Sequence, residues 1–164
     1  MKKLLFIRHA KSSWKDFSLA DIERPLNKRG LRDAPFMGRK LKEQGIQPDL
    51  LVSSPAVRAY TTAQIIAKAL DYPLRKIEKN PKIYEAGTRT IFKIIQGLDD
   101  KFKEVLIFGH NPTFTYMANY FSPTLIDNVP TCGIVAVAAD IEHWKDFNQD
   151  TATFLFFDYP KRYL

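Results

Sequence analysis

The sequence predicts an α/β fold, a three-layer and mainly parallel sheet with helices on both faces. Three short apolar runs, Leu4–Ile7, Leu50–Val52 and Val105–Phe108, alternate with segments of helical spacing. Runs this short and this continuous read as strands covered on both faces. Each ends abruptly in polar residues: Arg8-His9, Ser53-Ser54 and Gly109-His110. Strands that alternate with helices are joined by crossovers, which makes their sheet parallel.

Taken in order, the first strand delivers Arg8 and His9 at its carboxyl end, where open α/β sheets bind ligands. Residues from Lys11 to Arg24 are polar with scattered aromatics, Trp14 and Phe17, and read as a loop over that strand end. Asn27 is the expected N-cap of a helix through about Gln44, with Gly45 as its stop. Leu31, Ala34, Met37, Gly38 and Leu41 form its expected inner face, and Pro35 predicts a kink.

The second run, Asp49–Val52, repeats the layout of the first. Ser54 is expected to cap a helix whose first residue is Pro55, which places Arg58 one turn in and turns Ala63, Ile66, Ala67 and Leu70 toward the sheet. Residues from Asp71 to Lys82 are basic and contain prolines, with Ile77 in a short strand. Glu85 then falls at a loop-to-helix junction before a helix from about Thr88 to Gln96. Asn111 and Pro112 suit the cap and first position of a helix through about Phe121. Two further strands, Ile134–Ala139 and Thr153–Phe157, flank a polar turn region containing Trp144 and are expected to pair as an antiparallel edge.

The chain has 164 residues, the size of a single domain over residues 1–164. Its formal net charge of +7 favours anionic ligands or partners without choosing among them. Cys132 is the only cysteine, so no intrachain disulfide can form and a cytoplasmic location is expected. The opening Met1-Lys2-Lys3 imitates a secretory signal, but its apolar run stops at Arg8, short of the roughly 7–15 residues such a signal needs. No run approaches membrane-spanning length.

In a parallel sheet the three strand ends lie on one edge. Two arginines, Arg8 and Arg58, and two histidines, His9 and His110, can therefore meet there beside two helix starts, an arrangement suited to a tetrahedral anion. Guanidinium groups match phosphate oxygens, and a neutral imidazole can attack phosphorus, splitting transfer to water into two easier steps. Glu85 is the carboxylate best placed to protonate a leaving group. A metal site is disfavoured, because the arginines would repel a cation and no carboxylate adjoins either histidine. Cys132 has Ala138 six residues on where a cysteine phosphatase loop would need arginine, and reads as a small buried thiol. His143 reads as a surface residue.

These blocks resemble the histidine phosphatase superfamily of phosphoglycerate mutase-like enzymes, and most closely the short SixA-type phosphohistidine phosphatases. The similarity rests on Leu5–Ala10, Arg24–Asn27 with Arg29-Gly30, Ser53–Pro55 with Arg58-Ala59 and Thr62-Ala63, Tyr84–Ala86, Gly109–Pro112 and Pro130-Thr131. The resemblance implies that His9 is the phosphorylated nucleophile, that Arg8, Arg58 and His110 bind the phosphoryl group, and that no metal or other cofactor is used. Ser12 is taken as a further phosphate contact. Ala10 stands where glycine is commonest, and Lys15 where many members place a phosphate-contacting asparagine. With Lys11 and Ser12, it sits in a loop that departs from the commoner pattern and is expected to set what the nucleophile reaches.

The expected activity is a metal-independent phosphatase acting on phosphohistidine in a signalling or phosphocarrier protein. Little sequence is left to build a cap, so an open, shallow site suits a phosphorylated side chain of another protein. The alternatives are a small-molecule phosphomonoesterase, and a non-catalytic basic module holding a phosphorylated partner or nucleic acid. Nucleic acid is disfavoured for want of a recognised motif. A monomer without membrane attachment is expected.

Overall fold

The computed structural model describes residues 1–163. Its elements are β1 (Lys2–Arg8), α1 (Lys28–Glu43), β2 (Leu50–Ser53), α2 (Val57–Ala69), β3 (Glu78–Lys79), α3 (Thr88–Gln96), β4 (Glu104–Gly109), α4 (Thr113–Phe121), β5 (Ile134–Ala139) and β6 (Ala152–Asp158). They build one sheet in the order β3-β2-β4-β1-β5-β6. The first four strands run parallel, while β5 pairs antiparallel with both β1 and β6. The mainly parallel three-layer reading holds, and the expected antiparallel pair lies on the β1 side.

Side chains alternate across a strand, so each apolar run feeds two cores. Leu4, Phe6, Val52, Ile107 and Val135 face α3 and α4, where they pack with Ile91, Ile95, Phe114 and Met117. Leu5, Ile7, Leu51, Leu106 and Ile134 face α1 and α2, against Ala34, Met37, Leu41 and Ile66. Burying each of the larger side chains contributes about 1.5–3 kcal/mol, so the central strands are held from both sides. The segment after β4 crosses to one face and those after β1 and β2 to the other. That divergence opens a crevice at the strand ends.

Several local expectations need correction. Leu31 is 53% exposed, because the buried stripe of α1 begins with Gly30 instead. A Cβ there would stand 2.2 Å from the Lys11 carbonyl oxygen, so glycine lets the helix start lie on the loop and its neighbour turns outward. Asn27 does cap α1, accepting from the Gly30 N–H at 2.9 Å, and Gly45 ends that region with φ of 78°. Helix α2 starts two residues later than expected, at Val57, and α4 one residue later, at Thr113. Ser54 is drawn to His110, whereas Asn111 still serves the helix start by accepting from the Thr115 N–H at 3.1 Å. Ile77 precedes the short strand β3. Trp144 lies in a polar stretch of sequence yet is fully buried, its Nε1 donating to the Phe102 carbonyl at 2.8 Å. His143 is exposed and paired with Asp100 at 2.9 Å. No helix among the described residues is long and apolar enough to cross a membrane.

Candidate active site

The register of the sheet brings the two histidines together. Arg8 in β1 lies opposite Gly109 in β4, so the next residues, His9 and His110, leave the sheet side by side with ring centroids 5.3 Å apart. Gly109 has to be small: a Cβ would fall 2.6 Å from the Phe114 ring and 3.1 Å from Ile83. The end of β1 is latched from the other side, where the Arg8 N–H donates to Gly133 O at 3.0 Å and the Cys132 N–H to His9 O at 3.0 Å. Cys132 itself is buried with φ of 60°, and burial pushes its thiol pKa up.

His9 is 7% exposed. Its Nδ1 lies 2.7 Å from the Ala10 carbonyl oxygen, a group that only accepts, so Nδ1 carries the proton and Nε2 holds a lone pair. Burial first, then the charges of His110, Arg58 and Arg8, push the ring's pKa down to about 3 against the pull of the Ala10 bond. His9 is therefore neutral and poised to attack through Nε2. The Ala10 N–H donates to Thr62 Oγ1 at 3.0 Å, and that hydroxyl donates to Arg58 O at 2.7 Å. Thr62 thus ties the residue after His9 to the helix turn that carries Arg58.

The other basic groups are half-committed. Arg8 donates from Nη1 to Val129 O at 3.0 Å, and its Nε is buried without a partner. Burial, then Arg58, lowers its pKa. Arg58 is 6% exposed and is held from above by Asp21, through the carbonyl at 2.7 Å and Oδ2 at 3.0 Å. Its Nε is likewise buried and unpartnered. His110 shares a hydrogen between Nε2 and Ser54 Oγ at 2.7 Å, and its Nδ1 has no partner. Burial, then Arg58, depresses His110 to about 4. When Ser54 donates to Nε2, the Nδ1–H is a donor even though the ring is neutral. Buried polar groups without partners are rare in folded proteins, and here three of them belong to Arg8, Arg58 and His110. Such a group fits a bound oxyanion.

Two expected contacts are placed differently. Ser12 is buried, but its hydroxyl accepts from Arg24 Nη1 at 2.9 Å and its backbone bridges to Leu26, so that hydroxyl is engaged by the arginine. Glu85 is exposed with φ of 59° and makes no hydrogen bond or ion pair among the described residues. It lines a groove of about 380 Å³ with His110, Gly87 and Thr113, a groove whose lining does not include His9. Lys15 is exposed and Lys11 half-buried, the latter contributing its carbonyl to the Asn27 N–H.

Asp21 is the residue that sequence reasoning missed. Its carboxylate accepts from Tyr84 Oη at 2.6 Å, Arg58 Nη2 at 3.0 Å and Arg24 Nε at 3.1 Å. Those bonds, led by Tyr84, hold its pKa well below the usual carboxylate range. Tyr84 in turn meets the His110 ring edge-on at 5.6 Å, and Arg24 stacks on Trp14 at 3.4 Å. The only signal in the sequence was an acidic residue three positions before Arg24. Among the described residues no group of three or more His, Cys, Asp or Glu side chains is placed to hold a metal ion.

Comparison with known proteins places this geometry. Residues 4–87 match the profile of the histidine phosphatase superfamily, branch 1. An uncharacterised protein of Mycobacterium tuberculosis is 30% identical, covering 94% of this chain and 100% of its own. Phosphoglycerate mutase 1 of Saccharomyces cerevisiae is 28% identical over 75% of this chain and 49% of its own. Among solved structures, the protein histidine phosphatase SixA complexed with tungstate superposes with a TM-score of 0.82 at 21% identity, covering 99% of each chain. A chain named for SixA from Agrobacterium tumefaciens gives 0.81 at 24% identity, over 97% of this chain and 98% of that one. These two likenesses show a shared fold.

Proposed function

The chain belongs to the histidine phosphatase superfamily, and from that premise we propose that it is a metal-independent phosphatase that passes phosphate through His9, with protein phosphohistidine as its substrate. One observation carries the reading: a buried imidazole with Nδ1 fixed on the Ala10 carbonyl and a pKa of about 3, next to two guanidinium groups. Attack by Nε2 forms a P–N bond to His9 as the bond to the leaving group breaks, and water then hydrolyses the phosphohistidine. Arg8, Arg58 and His110 offer donors to the oxygens over which charge spreads.

For a phosphohistidine substrate the first step exchanges one P–N bond for another. A leaving imidazole that already carries a proton on its second nitrogen departs neutral, so no strong acid is needed. The rim supports a protein substrate: Asp21 is half-exposed at its side chain, Trp14 on the Arg24 that pairs with it is 62% exposed, and Phe17 of the same loop is 91% exposed. A small phosphate ester is the second reading, favoured by the groove where Glu85 and His110 lie together. There Glu85 would supply the proton that an alkoxide leaving group requires.

Release of phosphate from a phosphohistidine-bearing transfer domain, compared with sugar phosphates and nucleotides, separates the two. Faster turnover of the phosphoprotein by kcat/KM is expected. Turnover of small esters alone would overturn the protein-substrate reading and leave the phosphatase intact.

A further inference from the structure

The chemistry above leaves Asp21 unused. A carboxylate at the mouth of an anion site is unexpected, because it repels the phosphoryl group that the arginines attract. With both imidazoles neutral, Arg8, Arg58 and Arg24 less Asp21 leave two net positive charges, one fewer than the site would hold without the acid. A device that only bound phosphate would do better without the acid.

In-line transfer gives this carboxylate a place. The attacking and leaving atoms stand on opposite sides of the phosphorus. His9 is 7% exposed and forms the floor, so the leaving group must point outward to the rim. The rim holds Asp21, whose side chain is 49% exposed, and Tyr84, whose hydroxyl donates to Asp21 Oδ2 at 2.6 Å. Asp21 Oδ2 also lies 3.0 Å from Arg58 Nη2, next to the phosphoryl position. A leaving group there meets a carboxylate whose Oδ2 already accepts from Tyr84 and Arg58 but whose Oδ1 accepts only from Arg24 Nε and keeps one acceptor site.

We infer that Asp21 is a specificity-determining residue that selects leaving groups bearing an N–H or a positive charge and rejects those bearing a carboxylate. This rests on the proposed transfer through His9. A phosphohistidine ring presents an N–H on the nitrogen that is not phosphorylated, and Asp21 accepts it. That contact favours the imidazolium form of the substrate, whose P–N bond breaks with its electron pair passing to the ring nitrogen, leaving neutral imidazole. The proton on the second nitrogen stays where it was, so charge and atoms balance without an added acid. A phosphorylated hydroxy acid instead places its own carboxylate against Asp21.

The test measures kcat/KM for a phosphohistidine peptide, p-nitrophenyl phosphate and a phosphoglycerate on wild type, Asp21→Asn and Tyr84→Phe. Loss of a hydrogen bond to a charged group should lower the ratio of phosphohistidine to p-nitrophenyl phosphate turnover by Asp21→Asn about tenfold or more, and raise the ratio of phosphoglycerate to p-nitrophenyl phosphate turnover. Tyr84→Phe, which keeps the carboxylate, should preserve the wild-type preference. An equal fall for all three substrates would mean that Asp21 merely positions Arg58, and would overturn the inference. Wild type inactive on the phosphohistidine peptide but active on esters would overturn the substrate reading as well, and no transfer to His9 at all would sink both.

Discussion

The floor and the rim of the site are built by different means. On the floor, Arg8, His9 and His110 come off the ends of adjacent buried strands, and their fixed contacts are largely to backbone: Arg8 to Val129 O, His9 to Ala10 O. On the rim, Asp21, Arg24, Trp14 and Tyr84 hold one another through side chains on a loop and a turn. Backbone partners survive substitution, whereas side-chain partners vanish with it. The difference teaches that the sheet register fixes the two imidazoles, while a small cluster of side chains around the buried Arg24 builds the rim over them.

Breaking the floor should cost most. His9→Ala should lower turnover at least about a thousandfold in steady-state assays, as loss of a nucleophile does, while circular dichroism stays native. Retained turnover would refute the floor as the site of attack. The link between floor and helix comes next. Thr62→Val keeps the volume but loses both hydroxyl bonds, so it should destabilise by about 1–3 kcal/mol in urea unfolding and lower kcat more than it raises KM. Unchanged kcat would mean that Arg58 and Ala10 hold their places without it.

Acid should also distinguish the regions. His9 and His110 have folded pKa values of about 3 and about 4, below the roughly 6.5 of an unfolded chain. Between those limits the unfolded state binds more protons, so stability is present above about pH 6.5 and falls as pH drops toward 4 and then 3. A His9→Asn, His110→Asn double variant should show a flatter fall in Tm over pH 6.5 to 4; identical slopes would remove the buried neutral imidazoles from the account. The smallest effect is expected on the rim: Trp14→Ala, which strips the stack from Arg24, should cost about 0.5–1 kcal/mol or less and change kcat/KM only severalfold.

Sequence reasoning reached the floor because its cause is local. Leu4–Ile7 and Val105–Phe108 each end in a charged or polar residue, and parallel pairing alone puts those residues together. It failed where partners lie far apart along the chain. Asp21 meets Arg58 across 37 positions and Ala10 meets Thr62 across 52, and neither contact leaves a periodicity to read. Ser54 looked like a helix cap because serine before proline usually is one, yet His110 recruits its hydroxyl. The polar turn region gave no sign that Trp144 would be buried, where its indole finds the Phe102 carbonyl and its ring packs with Phe147. The antiparallel edge was legible from its two strands, whereas the insertion of β5 directly beside β1 was not, since nothing local encodes sheet order.

The central claim is that His9 carries phosphate during turnover. Brief reaction with a phosphohistidine-bearing transfer domain, followed by alkaline quench and phosphate mapping by mass spectrometry, tests it most directly. The account predicts an acid-labile, base-stable phosphate on the peptide containing His9 in wild type and none there in His9→Ala. A fully active enzyme whose label sits on another residue would contradict it.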